Sequence, residues 1–318
     1  MRRTACLQIA VFWLLAGVAE AKFCGNDIGG RSVLCACGDV VVSDVVLDTD
    51  PVVHTVCPGD GLIVRAPEAA HGVTIDLHGG VLHGTGKGTG VWIINGGPGG
   101  ARLVSRGHMA RIDGFRDGIV ARGTNSVALI DGIVAIHSAR DGVRIQAPGY
   151  AIHAAETRDS GRDGFSLGGT GFQVTATRAV RSTRFGYFVM GANGVIGRPG
   201  AGNSALGSGH AAFSLTGVGH HLSDCHAADG TAAGVHLNGM HFVVSNCVAQ
   251  HNGSDGIAGS GGDIRLSGNQ ASGNGHNGLS VHGVHMVDGG GNRGTGNGDR
   301  HQQRPPTQCE IGNAPCTR

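Results

Sequence analysis

Arginine, aspartate and histidine side chains recur at fixed intervals in the middle third of this 318-residue chain. An Arg-Asp pair at Arg140-Asp141 returns 22 positions later at Arg162-Asp163. Arginine binds carboxylates in bidentate geometry, and a nearby aspartate or histidine can act as an acid or a base. The pattern predicts a surface for an anionic ligand. We assign ligand binding to Arg122, Arg140, Arg144, Arg162, Arg181 and Arg184, and the candidate catalytic residues are His137, Asp141, Asp159 and Asp163.

The charge distribution agrees with an anionic partner. Residues 101–200 contain thirteen arginines and no lysine against seven acidic residues, although the whole chain has a formal net charge of +1. Such a local excess of one sign attracts ligands of the opposite sign. The alternative is a solvated corner on which arginine and aspartate side chains of neighbouring repeats neutralise each other, since exposed ion pairs of this kind stabilise little.

Three columns of residues share the period of 22. The first is the small residue that opens a segment of alternating apolar residues, the second is aliphatic, and the third is small and polar. All three shift together by four positions, which places a four-residue insertion within 197–209. The columns are Gly142, Gly164, Gly186, Ala212, Gly234, Gly256 and Gly278; Ile130, Ile152, Val174, Ile196, Leu222, Val244 and Leu266; and Ser138, Ser160, Ser182, Ser208, Gly230, Asn252 and Asn274.

This repeat predicts an all-β solenoid, a right-handed parallel β-helix of about ten coils of roughly 22 residues. Two or three short strands fit into each coil, and each coil hydrogen-bonds to the next at a spacing of about 4.8 Å. Alternate side chains of a strand then point inward. A leucine-rich repeat has a similar period, but its asparagine-and-leucine signature is missing and no segment has a helical pattern.

The repeat units resemble those of the pectin-lyase-like family of secreted parallel β-helix proteins. The likeness rests on units such as Asp141-Gly-Val-Arg-Ile, on the inward Ser and Asn column, and on a block from Cys57-Pro-Gly-Asp-Gly61 onward. The ending Gln308-Cys309 to Cys316 is similar to the cysteine-closed tail of such proteins. This resemblance implies the fold. It leaves the chemistry open, because the scaffold hosts lyases, hydrolases, epimerases and non-catalytic binders.

Residues 1–21 have the basic start, apolar stretch and small-residue cleavage site of a signal peptide, which predicts a secreted or periplasmic protein. We expect an N-terminal cap over 22–60, the β-helix over 61–298 and a C-terminal cap or tail over 299–318. No segment of the predicted mature chain is apolar enough to span a membrane.

Eight of the nine cysteines belong to the predicted mature chain, where an oxidising compartment favours disulfides over zinc. The resemblance implies a Cys37–Cys57 bridge, which leaves Cys24 for Cys35. A Cys309–Cys316 bridge would close a small loop in the tail. Cys225 and Cys247 are one period apart, so they are either a bridge between stacked coils or two buried thiols.

Signatures of specific chemistry are missing. The polygalacturonase-type motifs, the Asp-Pro-His signature of alginate epimerases and the calcium-binding nonapeptide repeat are all absent from the sequence. We predict no cofactor and leave calcium open. A transition metal such as copper or zinc also stays open, because many of the eighteen histidines fall in the C-terminal repeats. Nucleic acid is not expected as a partner, since the chain is predicted to be exported and no aromatic platform adjoins the arginines.

Three functional hypotheses follow. The first is a secreted β-helix protein that binds an anionic polysaccharide or a cell-surface glycan without catalysis. The second is a polysaccharide-active enzyme, a uronide lyase, epimerase or glycoside hydrolase, that uses the Arg/Asp/His face. The third is a periplasmic metal-handling protein. The sequence sets neither the substrate nor the oligomeric state.

Overall fold

The computed structural model of the protein describes residues 21–298 and 308–316. Within these ranges the chain forms three long sheets, and the single helical element is a short 3-10 helix at Pro51–Val53. The sheets wrap around one core, so the chain is a parallel β-helix, as predicted. The signal peptide predicted for residues 1–21 lies, except for its last residue, outside the described part.

One coil passes through the three sheets in a constant order. A coil runs through Val143–Gln146 in the first sheet, Ala151–His153 in the second and Glu156–Arg158 in the third, and it re-enters the first sheet at Phe165–Thr170. Each strand pairs in parallel with the strand one coil away. The exception at the C-terminal end is the antiparallel pairing of Glu310 with Pro315.

The strands of the first sheet are Phe23–Cys24, Asp39–Val41, Leu62–Arg65, Thr89–Asn95, Asp117–Arg122, Val143–Gln146, Phe165–Thr170, Tyr187–Ala192, Phe213–Val218, Val235–Met240, Ile257–Gly262, Leu279–Val284, Cys309–Ile311 and Ala314–Pro315. Those of the second are Val45–Val46, Thr74–Asp76, Ala101–Val104, Val127–Asp131, Ala151–His153, Gln173–Thr175, Val195–Ile196, His221–Ser223, Val243–Ser245, Arg265–Ser267 and Val287–Asp288. Those of the third are Val56–Cys57, Val81–Gly84, Ala110–Asp113, Ile133–Ile136, Glu156–Arg158, Arg178–Val180, Ser204–Leu206, His226–Ala228, Val248–Gln250, Gln270–Ser272 and Arg293–Thr295.

The predicted register is confirmed along the rod. Ile130 pairs with Ile152, and this column continues through every coil to Leu266. The structure has about twelve coils rather than the ten predicted. The difference arises because short strands such as Phe23–Cys24 and Asp39–Val41 pair with the first sheet in a region where the sequence has no 22-residue column.

Inward side chains stack into continuous columns. Phe165, Tyr187 and Phe213 lie on consecutive coils with ring centroids 4.8 and 4.6 Å apart, and all three are fully buried. A second aromatic column contains Tyr150 and Phe172. The alternation of inward and outward residues thus produces one core that extends over the length of the rod.

Buried asparagine side chains form a further column at a corner of the coils. Asn274 accepts hydrogen bonds from the backbone and side-chain nitrogens of Asn252, each at 3.0 Å, and donates to Asn297 at 2.8 Å. Such ladders satisfy polar groups that the core would otherwise leave without partners. The four-residue insertion lies within residues 197–202, between the second and third sheets, and the buried Asn203 that follows it is again hydrogen-bonded to the preceding coil.

Four disulfides join Cys24 with Cys35, Cys37 with Cys57, Cys225 with Cys247 and Cys309 with Cys316. The Cys225–Cys247 bridge links stacked coils, with Cα atoms 4.4 Å apart, so these residues are not two free thiols. Four disulfides fit a protein of an extracellular or periplasmic compartment. In residues 21–298 and 308–316 no helix has the length and apolar character needed to cross a membrane.

Candidate ligand-binding site

The outer face of the first sheet contains a cleft of about 400 Å³, which we call the arginine cleft. Trp92, Val120 and Arg144 are register partners on three consecutive coils, so they lie side by side on this face. Arg122 lies two residues beyond Val120 on the same side of its strand. The cleft is lined by Gly59, Asp60, Gly88, Thr89, Trp92, Arg116, Asp117, Val120, Arg122, Arg140 and Arg144.

Arg144 is the residue of the cleft that most requires an anion. Its Nε is buried and has no hydrogen-bond partner in the described structure. Burial lowers the pKa of the Arg144 guanidinium, and the charge of Arg122 lowers it further. Within residues 21–298 and 308–316, neither Arg122 nor Arg144 has a carboxylate within 4 Å. An incoming carboxylate would therefore supply the countercharge that this guanidinium lacks.

Trp92 gives the cleft an aromatic wall that the sequence analysis did not identify. Its side chain is 38% exposed. The signal was available, since the tryptophan is the outward residue of the segment Gly90-Val-Trp-Ile. It was missed because the repeat is irregular this far upstream, where Gly90 and Gly118 are 28 positions apart rather than 22.

Buried aspartates hold the neighbouring arginines in place. Asp141 and Asp163 are fully buried and lie one coil apart. Arg162 binds Asp141 through both Nε, at 2.7 Å, and Nη2, and Arg184 binds Asp163 in the same way with Nε at 2.8 Å. These hydrogen bonds raise the pKa of Arg162 and of Arg184.

The same carboxylates also accept backbone N–H groups from the next coil. Asp141 accepts from the backbone of Asp163, and Asp163 accepts from that of Phe185, each at 3.3 Å. Asp117 occupies the equivalent position one coil earlier, 3.0 Å from Arg116 and 3.9 Å from Arg140. Two of the predicted catalytic residues, Asp141 and Asp163, thus lie beneath the surface and orient arginines.

Three further predicted residues form a separate, exposed network where each coil leaves the third sheet. His137, Asp159 and Arg181 occupy equivalent left-handed positions on consecutive coils, with φ of 49°, 54° and 53°. His137 Nδ1 lies 2.9 Å from Asp113 and its Nε2 lies 3.9 Å from Asp159. Arg181 donates two hydrogen bonds to Asp159, at 2.6 and 2.8 Å, and these lower the pKa of Asp159.

The structure therefore divides the ten predicted residues. Three of them, Arg122, Arg140 and Arg144, meet in the arginine cleft. Four form the pairs Arg162–Asp141 and Arg184–Asp163, and the remaining three, His137, Asp159 and Arg181, form the exposed network. The 22-residue repeat could not predict which of these residues line the cleft, because every column of residues repeats with the same spacing whichever surface it faces.

Aromatic side chains continue along the same face beyond the cleft. The Arg184 guanidinium lies 4.9 Å from the ring centre of Phe185 and 5.3 Å from that of Phe188. A second cleft of about 400 Å³ follows, with Phe185, His210 and His236 among its walls. The expectation that no aromatic platform adjoins the arginines was wrong. Phe185 and Phe188 lie close to Arg184 in the sequence as well as in the structure, and stacking of the coils adds Trp92 to the arginine cleft.

The described histidines do not assemble a metal site. In residues 21–298 and 308–316 there is no group of three or more His, Cys, Asp or Glu side chains arranged to hold an ion. His241 and His285 both approach Asp263 at the surface, at 3.5 and 3.2 Å.

Comparison with known proteins finds similar folds. No protein-family model matches the sequence, and no curated protein matches it. Among solved structures, the periplasmic alginate epimerase AlgG is 15% identical, with 84% of this chain and 76% of that chain covered and a TM-score of 0.49. Pectate lyase Pel9A is 13% identical over 92% of this chain and 74% of that chain, with a TM-score of 0.38. The A-module of the mannuronan C-5 epimerase AlgE4 from Azotobacter vinelandii is 11% identical over 77% and 72%, with a TM-score of 0.35.

Proposed function

We propose that the protein binds an anionic polysaccharide, outside the cytoplasm, along the outer face of its first sheet. The observation that carries this proposal is Arg144, a half-buried guanidinium without a carboxylate partner among the described residues. It lies close to the equally unpaired Arg122 and two coils from Trp92. Uronic acid residues provide the carboxylate that such a group binds.

The chemistry of the arginine cleft suits an acidic sugar better than a simple anion. A planar guanidinium and a carboxylate form two parallel hydrogen bonds, and an aromatic ring offers a flat apolar surface to the C–H face of a pyranose. A bound carboxylate would also offset the repulsion between Arg122 and Arg144. Both elements are present on one rigid sheet, which costs little ordering on binding.

The geometry of the sheet favours a polymer. The outward column from Trp92 to His236 crosses six coil spacings, or about 29 Å at 4.8 Å each. Arginine or aromatic side chains recur along this length at Trp92, Arg144, Arg162, Arg184 and Phe188. An extended chain of sugars could therefore contact several coils at once.

Binding, rather than turnover, is the function we propose for this cleft. The carboxylates of Asp141 and Asp163 are committed to arginines and backbone N–H groups, so neither is free to exchange a proton with a ligand. Asp60, which lines the cleft, accepts a hydrogen bond from the backbone of Thr89 at 2.6 Å.

The test is calorimetric titration with polygalacturonate and alginate oligomers, with a neutral glucan for comparison. We expect the Arg122→Ala/Arg144→Ala double variant to weaken binding of the acidic oligomers by about 10- to 100-fold, the loss of one or two charge-assisted hydrogen bonds. Added salt should weaken wild-type binding, because the site is partly exposed.

Arg178→Ala is the matched control, since it removes an exposed arginine of the third sheet. The proposal would be contradicted if the double variant bound the acidic oligomers with the same affinity as the wild type. It would also be contradicted if the wild type bound the neutral glucan as tightly as the acidic oligomers.

A further inference from the structure

At the C-terminal end of the first sheet, Ser280, His282 and Asn313 form a chain of hydrogen bonds. Ser280 Oγ lies 2.9 Å from His282 Nε2, and His282 Nδ1 lies 3.2 Å from Asn313 Oδ1. The carboxylate of Glu310 is 3.8 Å from the same Nδ1. We propose that this Ser-His-Asn group is a nucleophilic site that hydrolyses carboxylic esters.

The partners of Nδ1 determine the tautomer of His282. The amide oxygen of Asn313 and the carboxylate of Glu310 are both acceptors, so Nδ1 carries the proton. Nε2 of the neutral ring is then an acceptor, and the Ser280 hydroxyl donates to it. This is the relation between nucleophile, base and orienting group that activates a serine.

The fold holds these groups rigidly and on one face. Ser280 and His282 are two residues apart in the strand Leu279–Val284, so both point outward. Glu310 is the register partner of Ser280 on the next strand. Asn313 lies in the turn of the terminal hairpin, which the Cys309–Cys316 disulfide closes.

Space for a substrate exists on the side of Ser280 away from Glu310. The register partner of Ser280 on that side is Ala258, whose methyl group leaves the hydroxyl approachable. Ala258 is also one of the residues that line the second cleft. An ester with one of its groups in that cleft could extend its carbonyl group over Ser280, one coil further on.

The reaction balances without a further reagent. Ser280 Oγ forms a bond to the carbonyl carbon of the ester while its proton moves to His282 Nε2. The bond from that carbon to the alkoxy oxygen breaks, and the alcohol leaves with the proton. Water then adds to the acyl-serine, again with proton transfer through Nε2, and releases the acid and free Ser280. Glu310 and Asn313 stabilise the transient imidazolium.

The rate enhancement should be modest. A positioned base contributes about 10²–10⁴-fold, while the strand N–H groups around Ser280 are engaged in pairing with the adjacent coils. Activated esters are therefore the suitable first substrates. If the protein binds a polysaccharide as proposed above, the natural ester substrate is an O-acylated sugar. Only this choice of substrate class rests on the proposed function.

The experiment measures hydrolysis of p-nitrophenyl acetate by the full chain and labelling by a fluorophosphonate probe, located by peptide mass spectrometry. We expect the label on Ser280 and a loss of hydrolysis of about 100-fold or more in Ser280→Ala and in His282→Ala. Asn313→Ala should slow labelling, and Asn313→Asp, which keeps the acceptor, should restore it.

Ser260→Ala is the matched control, because Ser260 is the register partner of His282 on the preceding coil and is also exposed. Labelling of another residue, absence of labelling in the wild type, or unchanged hydrolysis in Ser280→Ala would overturn the proposal. None of these results bears on the arginine cleft, which the glycan titration tests separately.

Discussion

At the scale of single residues, the charged side chains of the middle coils have two roles. Asp141 and Asp163 lie beneath the surface and fix Arg162 and Arg184, whereas Arg144 has a buried nitrogen without a partner. The sequence predicted these columns but not their depth. The burial of each side chain depends on its direction relative to the next coil, and the 22-residue repeat does not specify that direction.

His220 is a further buried residue whose ionisation should be visible. It lies between Phe172 and Phe242, and its Nδ1 accepts from the backbone of Gly194 at 3.1 Å. Burial lowers the pKa of His220, and the charge of His221 opposes its protonation too.

The folded protein therefore favours a neutral His220 more strongly than the unfolded chain does, and the unfolded chain protonates it below a pH of about 6.5. Between the lowered folded pKa and that value, the unfolded state binds more protons, so stability rises with pH. We expect urea unfolding to show lower stability at pH 5 than at pH 7.5. His220→Phe should flatten this dependence, whatever its effect on absolute stability. A slope unchanged in the variant would assign the acid sensitivity to other groups.

At the scale of structural elements, the strands are short and the ladders between coils supply much of the cohesion. The Asn252–Asn274–Asn297 column ends on the Gln308 side chain, whose Oε1 accepts from the backbone of Asn297 at 3.1 Å. The tail that carries Gln308 thus completes the hydrogen bonding of the last coil, which would otherwise expose unpaired groups.

Asn274→Ala should test the amide ladder. The change leaves the buried nitrogens of Asn252 and the carbonyl of Ala249 without their partner, which should cost about 2–4 kcal/mol in the free energy of unfolding. Asn238→Ala, on the exposed face of the first sheet, is the control and should change stability by less than about 0.5 kcal/mol. Equal losses in both variants would mean that the ladder adds nothing to the fold.

The sequence predicted the middle coils well and the N-terminal coils poorly. From Gly142 onward, the columns fixed the register, the inward residues and the position of the insertion. Upstream, coils of unequal length hid Trp92 and the additional strands. The Ser280–His282 pair was visible as two outward residues, but its partner Asn313 lies 31 positions beyond His282 and is brought close only by the terminal hairpin.

At the scale of the whole molecule, the protein is a stack in which each coil contacts mainly its two neighbours. Such a stack behaves as a one-dimensional array whose stability is the sum of local and neighbouring terms. The two proposed sites occupy the same sheet. The coil positions of Arg144 and Ser280 are six steps apart, about 29 Å, so each can be altered without disturbing the other.

The loop at residues 197–203 shows how the rod accepts extra length. Arg198, Pro199 and Gly200 are exposed, and a turn between Arg198 and Ala201 closes the loop while the strands on either side keep their register. The corner one coil earlier spans the same gap with Thr175, Ala176 and Thr177 alone, and Thr177 is buried and bonded to Asn203.

We therefore expect this loop to accept an inserted foreign peptide with little loss of stability. A ten-residue epitope inserted between Pro199 and Gly200 should leave the melting temperature within a few degrees, because lengthening a loop costs only about 0.6 kcal/mol per doubling. The same epitope between Ala176 and Thr177 should lower it sharply. If the inserted peptide were used to attach the protein to a solid support, the point of attachment would be the corner opposite the first sheet. The outer face of the first sheet would then remain accessible to ligands in solution.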